Sequence, residues 1–263
     1  MVSGDAGAVI PGLAGGPGHE RAARIATMSR LDARMLSAVL LCAFGASVLL
    51  AGSTDGQVPP SRDEIEAYTG LFAAAARGHA SQIGALVAGG ARVDARDAYG
   101  RTPLHVAAFG RHVEAMRALV TAGADPNALE HDRYDVVTIA AVADDVPTLK
   151  AALVLGASAR NVTSRYDGTA LIAAAHLGHA EVVGVLIAAR APLDHVNNLG
   201  WTAVIESIVF GNGGARHTET LRLLVEAGAN VNLPDREGRT PRTLARTRGY
   251  DAMVAILERA GAR

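Results

Sequence analysis

Histidine offers this chain its widest choice of chemistry. Nine occur, and four of them, His79, His112, His179 and His217, recur at one position of a repeating pattern. Imidazoles can ligate metal, move protons or donate hydrogen bonds to backbone. A zinc site needs three or four ligands converging on one point. The close pair His176 and His179 straddles Gly178 without an obvious third ligand. The expectation is therefore structural: each recurring imidazole bonds neighbouring backbone in a turn between paired helices, and His105 also serves the fold. The carboxylate pairs Asp144/Asp145 and Asp132/Asp135 read as solvated loop groups. Gly211-Asn-Gly-Gly214 lacks the Lys-Ser/Thr of a phosphate loop and reads as a flexible connection. Neither G-x-S-x-G nor H-E-x-x-H occurs. No catalytic set emerges; the chain reads as a non-enzyme without cofactor or metal.

A second group of residues is suited to binding. Four loop segments read Arg96-Asp-Ala-Tyr99-Gly-Arg101, Glu130-His-Asp-Arg133-Tyr134, Ser164-Arg165-Tyr166-Asp167 and Asn197-Asn198-Leu-Gly-Trp201. Each holds an aromatic although aromatics are only 4% of the chain. Tyrosine, tryptophan and arginine combine large contact area with polar reach, which is why they dominate binding hot spots. The candidate partner-binding residues are Arg96, Tyr99, Arg101, Arg133, Tyr134, Arg165, Tyr166, Asn197, Asn198 and Trp201. The competing reading is that these rings pad adjacent loops. Trp201 leans that way because it directly precedes a helix cap.

The elements that position these loops repeat. The clearest copy runs Thr102-Pro103-Leu104-His105, Ala107-Ala108, His112, Glu114 and Gly123-Ala124-Asp125. Thr102 can cap a helix, Pro103 suits its first turn, Ala107-Ala108 permit close packing, and Gly123 allows a left-handed exit. Asp135, Thr169, Thr202 and Thr240 open further copies, with Arg190 replacing the exit glycine in one. The period of roughly 33 residues and the T-P-L-H-x-A-A and G-A-D words resemble the ankyrin-repeat family over about Thr69 to Arg263. That resemblance implies an all-α repeat solenoid of about six stacked helix-turn-helix repeats joined by β-hairpin loops. It also implies protein binding without a cofactor, on a concave face made by the loops and first helices. Repeats are expected near 69–101, 102–134, 135–168, 169–201, 202–239 and 240–263, within a repeat domain spanning 61–263. Ser61-Arg-Asp-Glu64 has capping-box spacing and predicts one helix continuing to Ala76. Arg242 and Arg246 give the last copy a polar outer face, as a terminal repeat requires.

Ahead of the array, Arg30 and Arg34 precede the apolar run Met35 to Ala51. A basic flank, an apolar stretch and small residues read as a secretory signal over 28–53, cut after Ser53. An uncleaved membrane anchor of the same run is the alternative. Residues 1–27 are Gly/Ala/Pro-rich and read as disordered or as a misassigned start, with Met28 the better initiator; 54–60 form a linker. The single cysteine, Cys42, lies inside the apolar run, leaving the exported part without thiol or disulfide. A net charge of −1 leaves no basic footprint for nucleic acid. The sequence thus predicts a monomeric, periplasmic or secreted scaffold that binds another protein. The runner-up is a periplasmic inhibitor or immunity protein blocking a toxin or enzyme.

Overall fold

Threonine and aspartate caps set the helix starts. In the computed structural model, which describes residues 56–263, those residues form thirteen helices. A short leading helix, α1 (Arg62–Ala67), is followed by six pairs. These are α2 (Gly70–Ala76) with α3 (Ala80–Ala88), α4 (Pro103–Phe109) with α5 (Val113–Thr121), and α6 (Val136–Val142) with α7 (Val146–Val154). Then come α8 (Ala170–Leu177) with α9 (Ala180–Ala188), α10 (Ala203–Val209) with α11 (Ala215–Glu226), and α12 (Pro241–Thr247) with α13 (Asp251–Arg259). First helices pack on first helices and second helices on second helices along the stack. The fold is an all-α repeat solenoid. Among the described residues no strand forms, and the loops carry only an isolated bridge between Thr163 and Gly168.

The caps explain why α4 to α12 begin where they do. Amide hydrogens of the first turn are donated to Thr102, Asp135, Thr169, Thr202 and Thr240. Small side chains then let the first helices approach: Ala74-Ala75, Ala107-Ala108, Ala140-Ala141 and Ala174-Ala175 are all buried. The second helices contribute Met116, Leu149, Val183 and Leu221 at the equivalent place, each fully buried. The core is therefore a continuous thin layer between two helix rows, which suits a chain rich in alanine.

Three expectations need correction. The leading helix does not run to Ala76. Its capping box forms, with Glu64 N–H on Ser61 Oγ at 3.2 Å and Ser61 N–H on Glu64 Oε2 at 2.8 Å. The helix then ends at Ala67, because Tyr68 and Thr69 are extended and Gly70 has φ +54. The break aims Tyr68 at the first loop, where its hydroxyl donates to Asp97 at 2.7 Å. Second, the Gly211–Arg216 insertion is packed: α11 has 12 residues where its counterparts have 9, and Gly211 is buried. Tyr250 donates its hydroxyl to the Gly211 carbonyl at 2.8 Å, and Arg216 reaches Asp144 at 3.2 Å. Third, Asp145 is not solvated; it is buried and caps α7 through the Thr148 amide and hydroxyl at 3.1 and 2.7 Å.

The apolar run Met35–Ala51 lies outside the described residues. Among the described residues, no helix is long and apolar enough to cross a membrane.

Candidate functional site

Backbone hydrogen bonds tie successive loops edge to edge. His131 N–H donates to the Tyr99 carbonyl at 3.1 Å, Ser164 N–H to Arg133 at 3.1 Å, and Asn198 N–H to Tyr166 at 2.9 Å. These bonds join adjacent repeats, so the tips form one row. Side chains reinforce it. Arg96 donates to its own loop at Gly100 (2.8 Å) and to the next at Leu129 (2.6 Å). Arg133 bridges to Asp167 at 2.7 Å, and Asn198 Nδ2 donates to the Arg165 carbonyl at 2.8 Å.

Each loop holds its shape with an inward polar side chain. Asp97 Oδ1 accepts from Tyr99 and Arg101 N–H at 2.9 Å each. Glu130 accepts from Asp132 and Tyr134 (3.0 and 2.9 Å), and Asn197 from Leu199 and Trp201 (3.0 and 2.9 Å). Burial pushes the Glu130 carboxyl up even though those two amides oppose the shift. Burial would also raise Asp97, but the Tyr68 and Arg101 hydrogen bonds outweigh it and hold that carboxyl below its ordinary range.

The candidate residues divide by burial. Arg96, Tyr99, Arg165 and Asn198 are exposed, as is Arg133; Tyr134 and Tyr166 are half-buried. Arg101, Asn197 and Trp201 are buried and serve the stack. Arg101 is 1% exposed, and bonds Asp97 at 2.7 Å, Glu64, the Tyr68 hydroxyl at 3.1 Å and the Val58 carbonyl at 3.1 Å. Its guanidinium also lies over the Tyr99 ring at 4.5 Å, orienting that exposed aromatic. Asn197 donates to the buried Glu206 at 3.0 Å, which also receives His176 Nδ1–H at 3.0 Å. Trp201 packs edge-on against Phe210 at 5.5 Å. These three residues are therefore withdrawn from the accessible surface.

The recurring histidines fasten one repeat to the one before. His112 donates to the Ala76 carbonyl at 3.0 Å, His179 to Ala141 at 2.9 Å, and His217 to His176 at 3.0 Å. Tyr250 takes the corresponding place in the last repeat, and His79 in the first is exposed. His105 is fully buried; its Nδ1 accepts the Thr102 amide at 3.1 Å while Nε2 donates to Tyr134 at 3.2 Å. Burial holds His105 and His217 below the ordinary imidazole range, favouring the neutral ring. Among the described residues, no group of three or more His, Cys, Asp or Glu side chains is placed to hold a metal ion.

Sequence reasoning missed Arg236, an exposed tip residue that donates to the Asn198 carbonyl and carries the row to a fifth loop. The signal was present: Asp235-x-x-Gly238-Arg239 repeats the spacing of Asp97-x-x-Gly100-Arg101. Arg239 likewise donates to Asp235 at 2.7 Å.

A family model for ankyrin repeats (3 copies) matches residues 41–130 and 137–235, well over half of the chain. The chain is an ankyrin-repeat protein. Ankyrin repeats are typically non-catalytic modules that bind other proteins, and this array is built on that plan. It is 37% identical over 103 residues to the ankyrin repeat protein YahD of Escherichia coli K12, covering 39% of this chain and 51% of that one. The chain thus spans about half the length of this curated relative. An ankyrin repeat domain from Acinetobacter baumannii AYE is 42% identical, with TM-score 0.69 over 73% of this chain and 98% of that one. The ankyrin repeat domain of Bcl-3, a member of the IkappaB protein family, is 30% identical, with TM-score 0.67 over 75% of this chain and 88% of that domain.

Proposed function

We propose that this ankyrin array is a non-catalytic scaffold that docks another protein on its loop row and acts outside the cytoplasm, in a bacterial periplasm. The observation carrying the binding surface is the tip row itself, with Arg96, Tyr99, Arg133 and Arg165 exposed on backbone that is hydrogen-bonded from repeat to repeat. Such a surface is pre-organised, so little ordering entropy opposes association. Half-buried Tyr134 and Tyr166 lie at its centre. Export is supported by the arginine-flanked apolar run ahead of the repeats.

Proximity labelling from an exported, tagged full chain should recover a protein partner. Alanine at Arg133, Tyr134, Arg165 and Tyr166 together should remove it while the helical melt stays cooperative. Capture that survives this change would place the docking surface elsewhere. A carboxy-terminal alkaline phosphatase fusion should be active, and the mass of the mature chain should show the cut after Ser53; an inactive fusion would refute export.

A further inference from the structure

The loop row turns its carboxylates inward and its cations outward. Glu130 and Asp235 are buried, and the Asp97 carboxylate is taken up by Tyr68 and Arg101. Arg96, Arg133, Arg165 and Arg236 remain exposed on successive tips. Two of the tip carboxylates that do face out are already engaged: Asp167 by Arg133 at 2.7 Å and Glu237 by Arg239 at 3.0 Å. Apolar exposure is concentrated in the same place. Among the described residues the exposed large hydrophobics are Tyr99, Val154, Val162 and Val196, and all but Val154 lie on these loops. Val162 and Val196 each directly precede the inward polar residue of their loops, Thr163 and Asn197. The row therefore alternates guanidinium and apolar side chains along the stack.

We propose that the loop row takes an acidic segment of a partner protein, one in which carboxylates are interspersed with apolar side chains. The inference rests on the protein-binding reading above and specifies the partner's chemistry. Guanidinium groups pair carboxylates through two parallel N–H bonds, which gives orientation as well as attraction. Exposed ion pairs are individually weak. Selectivity then requires several in register, together with apolar contact at Val162 and Val196. A nucleic-acid backbone is the less suitable anion, since the carboxylates of Asp132, Asp167 and Glu237 interrupt the row and would repel an unbroken line of phosphates.

The test is fluorescence polarisation with the full chain and a labelled peptide of repeated Glu-Leu-Glu-Glu, about 20 residues long, roughly six per loop tip at extended spacing. The peptide should bind, and raising salt from about 50 to about 300 mM should weaken it several-fold. Arg165→Glu with Arg236→Glu should weaken binding about tenfold, a loss near 1.4 kcal/mol. Val162→Ser with Val196→Ser should cost a few-fold, and Lys150→Ala on the second-helix row should change nothing. Equal affinity for the corresponding Lys-Leu-Lys-Lys peptide or for a single-stranded DNA of matching length would overturn the proposal, and neither probe depends on a variant folding. If the cellular partner is still captured through Tyr134 and Tyr166 while the glutamate peptide fails to bind, the acidic-segment inference falls and the scaffold reading stands.

Discussion

Arg101 carries more of the structure than any exposed arginine does. Its guanidinium gathers Asp97, Glu64, the Tyr68 hydroxyl and the Val58 carbonyl, so it fastens the leading helix to the first loop. Breaking a buried pair leaves uncompensated charge, which costs about 3–5 kcal/mol. Arg101→Met should therefore lower the urea-unfolding free energy by about 3 kcal/mol, and a loss below about 1 kcal/mol would show that solvent replaces the pair. Acid acts on the same stability through other residues. The folded-state imidazoles of His105 and His217 lie below the ordinary value of 6.5, so the unfolded chain binds more protons there. Their contribution is fully present above pH 6.5 and is lost as pH falls from that value through the folded-state values. Glu64 and Asp97, also lowered, add a further loss below the ordinary carboxylate values of 4.5 and 3.8. Glu130 works the other way: its raised carboxyl favours the folded state at low pH, and that share is lost as pH rises through its folded-state value. Unfolding free energy measured between pH 7.5 and 5.5 should fall with acid, and His105→Gln should flatten the slope.

At the scale of helices and turns, the exit from each pair is the informative place. Gly123, Gly156 and Gly228 leave with φ of +99, +95 and +92, a region open to glycine. Arg190 occupies the same exit with φ +61 and strains to do so. Arg190→Gly should stabilise the array by about 0.5–1 kcal/mol, because relief of left-handed strain exceeds the entropy that glycine adds to the unfolded chain. A destabilisation measured by chemical denaturation would contradict it. Leu149→Ala in α7, at a fully buried site, should cost about 2–5 kcal/mol. Local words made these elements readable in advance: a capping residue, a small pair and an exit glycine are properties of neighbouring residues. The break between α1 and α2 was not readable, because Ser61 to Ala76 looks like continuous helix. What divides it is a contact 29 residues away, from Tyr68 to Asp97. The binding row was legible as a set of Arg- and Tyr-bearing loops. Which members point inward was not, since Arg101 and Asn197 are buried by partners that the loop sequence does not contain.

The whole molecule is a stack whose ends must be finished differently from its middle. At the carboxyl end, Arg242 and Arg246 both pair with Glu258 at 2.9 Å, covering the last repeat with charge. Replacing both arginines with leucine should leave an apolar end and cause concentration-dependent association, seen as a rise in mass by light scattering. A mass unchanged over a wide concentration range would mean that the end is protected by other means. Within the stack, the links between loops run through main-chain groups: Tyr99, Arg133 and Tyr166 are joined to the next tip by their carbonyls. Their side chains contribute nothing to those particular bonds. The tips are in this sense characters set on a fixed rail. Substitutions at Tyr99, Arg165 or Asn198 can rewrite what the surface recognises while the spacing between characters stays the same, so a lineage could exchange one partner for another without redesigning the array that presents them.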